Sequence, residues 1–212
     1  MNDTVKDILG ILDAGRPDLQ VAAAQILGEL RIKDPAVVRS LSTAGSRSPV
    51  LGRYVLEALS RIATADALRV VVRILLENDS LVDQASHVLA EAGHAAHPAI
   101  AEAFAEAPAD RRLRLLTVLG RAPSKESIRP FVLGLVAGET CDAAAKILAN
   151  AVVNLAPPIA KLLREALTEA LSQPLAEGSV AAVLSLLAAI DPAAARTQLL
   201  HYADPQFPAA VR

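Results

Sequence analysis

The sequence has no tryptophan, two tyrosines and three phenylalanines among its 212 residues, so aromatic side chains make up 2% of it. That scarcity removes the stacking platforms on which single-stranded nucleic acids are held. It also removes the aromatic positions that tetratricopeptide repeats need. Cysteine occurs once, as Cys141, which excludes an internal disulfide framework and suits a reducing compartment. Neither sign of charge dominates: 21 basic residues stand against 23 acidic ones, a net −2, whereas a general nucleic-acid binder carries a clear basic excess. The longest uncharged stretch, Ile147 to Ala160, contains two Asn and two Pro and is too short and broken to span a bilayer. The opening residues, MNDTVKDILGILDAG, include Asp3 and Asp7 and no long apolar segment, so no secretory signal is expected. A cytoplasmic protein without a membrane span is the expectation.

What the chain has in abundance is alanine and leucine, 43 and 32 residues, over a third of the whole. Both are strong helix formers, and small alanines let helices approach closely, so the composition argues an all-α fold before any pattern is read.

A repeat underlies the composition. Taking Leu27 in VAAAQILGEL as an anchor, equivalent leucines follow at Leu59, Leu89, Leu119, Leu148 and Leu187, spaced 32, 30, 30, 29 and 39 residues apart. The residue after each anchor is small: Gly28, Ser60, Ala90, Gly120, Ala149 and Ala188. The residue before it is apolar, and so is the one four before it: Ala23, Val55, Ala85, Leu115, Ala144 and Val183. Those positions share one stripe of a helix, and the small neighbour admits another backbone.

Each anchor helix is followed by a second helix with its own start signal. Asp34-Pro35 and Asp191-Pro192 place an acidic N-cap before a proline at the first helical position. Thr64 and Ser127 are expected to cap their helices, and His97-Pro98 and Pro157-Pro158 mark similar starts. The chain reads as about six helix pairs of some thirty residues, preceded by an unpaired helix near residues 4–13. In the same register, Val211-Arg212 would open a seventh pair, so the array, residues 1–212, is expected to continue beyond residue 212 in the natural protein, the alternative being that its last residues are a frayed cap.

Segments such as DLQVAAAQILGEL and SPVLGRYVLEALSRI resemble short bacterial HEAT repeats of the phycobilisome-lyase type, which open on Val-Arg-x-x-Ala-Ala-x-Ala-Leu-Gly. The resemblance covers nearly the whole chain and is specific for architecture. The expected Arg is replaced by Gln20, Gly52, Val82 and Val180, and only Arg112 matches inside the array. The period is also shorter than that of long HEAT and armadillo repeats. The resemblance implies one α-solenoid of about six helix pairs in a right-handed superhelical array, with second helices lining a concave face. One interval, Leu148 to Leu187, is longer than the rest; the excess lies in a long second helix and a loop at Pro174–Gly178 within 157–179. It reads as a tolerated surface insertion or as a ridge at a binding site.

Catalytic chemistry finds little footing. The one cluster with metal-ligand spacing is HVLAEAGHAAH, in which His87, Glu91 and His94 would share a face of a continuous helix, with His97 beyond. Gly93 is expected to end that helix, which favours turn and surface histidines over a metal site. Cys141 stands near a helix start with no histidine close in sequence, so a packing role is expected. There is no phosphate-cradling glycine loop and no Gly-x-Ser-x-Gly, and no catalytic residue or cofactor is assigned.

Arginine carries more information. The second helices hold Arg39, then Arg69 and Arg73, Arg129, Lys161 with Arg164, and Arg196, the first six being the candidate partner-binding residues. Were they to line one face, a basic track interrupted by glutamates would suit an acidic peptide or protein surface, with arginine as the anchor because of its rigid two-pronged donor. A second basic cluster, Arg111, Arg112, Arg114 and Arg121, lies on a first helix. The leading expectation is a non-catalytic scaffold or adaptor that binds a partner protein, or a subunit of a larger complex, through its second helices. A chromophore-lyase-like or other enzyme-associated HEAT factor and a nucleic-acid-binding HEAT-like protein are the alternatives.

Overall fold

The computed structural model describes residues 2–153 and 155–202. Among them are thirteen α-helices and no strand. They are α1 (Asp3–Ala14), α2 (Pro17–Glu29), α3 (Pro35–Gly45), α4 (Pro49–Ile62), α5 (Ala65–Glu77), α6 (Val82–Ala92), α7 (His97–Glu106), α8 (Ala109–Arg121), α9 (Lys125–Val136), α10 (Cys141–Val152), α11 (Pro157–Leu171), α12 (Glu177–Ile190) and α13 (Pro192–Tyr202). No helix among the described residues is long and apolar enough to cross a membrane. The expected start of a seventh pair lies outside the described residues.

The helices begin where capping chemistry puts them. Asp34 accepts the Ala36 N–H at 2.8 Å, Thr64 accepts the Ala67 N–H at 3.2 Å, and Asp191 accepts those of Ala193 and Ala194, both at 3.1 Å. Each satisfies backbone donors that a helix start leaves without partners. One capping assignment is corrected: α9 is capped by Ser124, not Ser127. Ser127 stands three residues in, where its hydroxyl accepts the Ser124 N–H and donates to the Ser124 carbonyl, both at 2.7 Å. The loop after α11 also lies two residues earlier than expected, at residues 172–176. Helix α12 begins at Glu177, so Gly178 lies inside it and the connection closes at Ala176.

The chain divides into two compact units, Met1–Ala103 and Phe104–Arg212. In the first, α2 packs on α1 and α4, α4 packs in turn on α6, and α3 packs on α5. In the second, α10 lies between α8 and α12, and α9 packs on α11. The six anchor leucines are all buried: Leu119 and Leu148 are 0% and 1% exposed, and the other four 0%. The small residue after the anchor does what close packing requires. At Gly28 the α4 backbone at Ala58 occupies the space of a Cβ, and at Gly120 the Ile147 side chain does.

Helix α9 contains Pro130 in its interior, which removes the N–H that would bond the Glu126 carbonyl. The ring is buried, so packing holds the helix through that gap.

Candidate functional site

In the first unit, α3 and α5 enclose a groove of about 630 Å³ lined by Arg39, Ser42 and Thr43 from α3 and by Asp66, Arg69 and Arg73 from α5. Its floor includes Val38 and Val70, both buried. Arg39 and Arg69 are each the fifth residue of their helices, α3 and α5, and Arg73 follows one helical turn after Arg69, so all three reach the same groove. Three arginines against one aspartate leave the lining with a charge of +2.

The three arginines are not equivalent. Arg69 donates to Asp66 Oδ1 at 2.9 Å and to Glu102 Oε2 at 3.0 Å. The Glu102 hydrogen bond and charge, then those of Asp66, raise its pKa further above the ordinary arginine value. Arg39 and Arg73 are exposed and form no ion pair with any described residue. Their guanidinium forks are therefore open to a carboxylate or phosphate from outside. The Thr43 hydroxyl donates to the Arg39 carbonyl at 3.1 Å and is thereby occupied within its own helix.

In the second unit, α9 and α11 enclose a larger groove of about 890 Å³. Val132, Leu133 and Val136 from α9 and Leu162 and Ala166 from α11 make it apolar, and Leu133 and Leu162 are 37% and 41% exposed. Its rim carries Lys125, Glu126 and Arg129 on α9 and Glu165 and Glu169 on α11. Glu126 accepts the Ser124 hydroxyl at 2.8 Å and lies 3.6 Å from Lys125. The Ser124 bond is the main reason its carboxyl titrates below the ordinary range, with Lys125 adding to it. Glu165 has Lys161 at 4.0 Å. Arg129 and Glu169 have no ion pair with any described residue.

The six basic residues singled out from the sequence thus separate. Arg39, Arg69 and Arg73 share the α3–α5 groove, and Arg129 borders the α9–α11 groove. Lys161 is taken up by Glu165 within α11. Arg164 turns toward α13 and binds Asp191 Oδ2 at 3.2 Å, so it braces the start of that helix. The Ala194 N–H and then Arg164 hold the Asp191 carboxyl below its ordinary pKa.

The histidine cluster does not assemble. Helix α6 ends at Ala92, and Gly93 has φ +56°, a backbone angle that favours glycine. His87 and Glu91 stay on the helix at 3.3 Å from each other, both exposed. His94 and His97 lie past the break with ring centres 5.1 Å apart, and His97 is buried. Among the described residues no group of three or more His, Cys, Asp or Glu is placed to hold a metal ion. Cys141 is buried at the first position of α10. On α8, Arg112 lies over the Phe104 ring at 5.6 Å, with its Nε buried and without a hydrogen bond among the described residues.

Two features of these grooves escape a reading of the sequence. Glu102 reaches Arg69 from 33 residues away, a pairing that depends on how α5 and α7 are set. The apolar floor between α9 and α11 has a fainter signal: Leu133 and Leu162 stand beside the buried stripes of their helices rather than on them. No protein-family model matches the chain, and no curated protein matches it.

Proposed function

We propose that the chain is a short-repeat, HEAT-like α-solenoid that works as a non-catalytic scaffold or adaptor, binding the acidic surface of a partner protein through its second helices. The side-by-side packing of α2, α4 and α6, and of α8, α10 and α12, supports the repeat reading. The observation that carries the functional reading is the pair Arg39 and Arg73. Two exposed guanidinium groups share one groove without a carboxylate partner among the described residues, beside a third arginine already neutralised by Asp66 and Glu102. A fold that needed these charges only for its own surface could pair them, as it pairs Arg61 with Glu57 and Glu29. Unpaired arginines in a concavity suit recognition of carboxylates from outside. In this reading the protein acts in the cytoplasm, and the lone Cys141 suits that compartment.

The test is affinity capture from a nuclease-treated lysate with the unmodified chain and with Arg39→Glu/Arg73→Glu as parallel baits. A protein recovered in near-equal amount by the first bait and lost by the second is the expected result. Equal recovery by both would remove the groove from the account. Co-purification of a chromophore alone would favour the enzyme-associated reading, and of nucleic acid alone, once nuclease is omitted, the nucleic-acid reading.

A further inference from the structure

We infer that the α9–α11 groove is a docking site for an amphipathic helical segment of a protein partner, one whose apolar stripe is flanked by an acid and a base. This goes beyond the basic groove and stands on different residues. The groove offers an open apolar strip rather than a closed cavity: Leu133 and Leu162 are both more than a third exposed, with Val132 and Val136 beside them. Apolar side chains exposed together in one concavity mark a surface that gains by being covered. The lining from Lys125 to Val136 is twelve residues of α9, roughly 17 Å of helix, which matches a partner helix of about three turns.

Charge narrows the choice of occupant. Two of the rim glutamates are already engaged, Glu126 by Ser124 and Lys125 and Glu165 by Lys161. What remains unpaired among the described residues is one base on α9, Arg129, and one acid on α11, Glu169. The two borders therefore have opposite sign. A helix laid between them is favoured when it places a carboxylate beside Arg129 and a lysine or arginine beside Glu169, and disfavoured when its flanks are exchanged. A helix presents such flanks on either side of residues spaced i, i+3 or i+4, and i+7.

The test uses the full chain and a displayed library of 12-residue helical peptides with leucines fixed at those spacings and randomised flanks. Enrichment of peptides with acid on one flank and base on the other is expected, with affinity lost at least tenfold in Leu133→Glu. The exposed pair exchange Arg129→Glu/Glu169→Lys should reverse the flank preference, and that readout holds even if Leu133→Glu folds poorly. No enrichment, or enriched peptides indifferent to both variants, overturns the inference. A concentration-dependent dimer abolished by Leu133→Glu would instead assign the groove to a second copy of the chain. Binding of an apolar dye that no peptide displaces would assign it to a small ligand. Either result likewise overturns the proposal. Because the Arg39→Glu/Arg73→Glu variant leaves α9 and α11 untouched, its failure in partner capture is separable from failure here.

Discussion

Gly28 in α2 rests against the backbone of α4, where a Cβ on Gly28 would come within 2.7 Å of the Ala58 Cα. No flexible side chain stands between the two helices at that point, so any added atom must move a backbone. Gly28→Ala is therefore expected to destabilise the fold despite alanine's better helix propensity. Overpacking costs about 1–3 kcal/mol, against a propensity gain of about 1 kcal/mol. Gly10, inside α1, has nothing within 4 Å of its Cβ position. There the same substitution should stabilise, by about 0.5–1 kcal/mol. Thermal unfolding of the two variants should shift in opposite directions.

Two of the buried serines of the second unit, Ser127 and Ser179, should also respond oppositely. Ser127 is fully buried and bonds both the N–H and the carbonyl of Ser124. Ser127→Ala strands that N–H and should cost about 1–3 kcal/mol. Ser179 is 1% exposed, and its hydroxyl has no hydrogen bond among the described residues. Ser179→Ala removes a polar group that burial penalises, so urea unfolding should show unchanged or increased stability.

The Asp191 carboxylate should give stability a definite pH dependence. Its pKa is depressed in the folded chain by the N–H groups capping α13 and by Arg164, so it favours the fold when ionised. That contribution is present in full above the unfolded value of about 3.9 and fades as pH falls through the folded value. Asp191→Asn keeps a capping side chain but cannot ionise. The variant should unfold more easily than the wild type at pH 7, and the gap should narrow in denaturation series carried below the unfolded value. A gap constant across that range would remove the ionic component.

Reversal of Arg39 and Arg73 should leave stability within about 0.5 kcal/mol of the unmodified chain, because both are exposed and carry no ion pair among the described residues. This separates recognition from folding in the capture experiment. Circular dichroism melts of the two baits should superimpose.

Much of the fold was legible because its signals are local. Asp34-Pro35 and Asp191-Pro192 announce helix starts within three residues, and the anchor leucines report a buried stripe by helical spacing alone. The gathering of Arg39, Arg69 and Arg73 was legible for a related reason: Arg39 and Arg69 lie 30 residues apart at the fifth position of their helices, and Arg73 follows one turn later. What could not be read was which charges the fold would use for itself. Arg164 and Arg39 look alike in the sequence. Yet Arg164 finds Asp191 across 27 residues, whereas Arg39 finds no carboxylate among the described residues, because that outcome depends on how each helix is turned toward its neighbour. Ser124 and Ser127 were ambiguous on a finer scale, since two hydroxyls three residues apart can each serve as cap or as its partner.

The most direct test of the central claim is the affinity of the captured partner for the unmodified chain and for Arg39→Glu/Arg73→Glu, titrated at matched salt. Recognition through Arg39 and Arg73 predicts a loss of about a hundredfold, on the order of 2.7 kcal/mol, and a wild-type affinity that weakens as salt screens the groove. Equal affinities for the two proteins, with both folded, would contradict it.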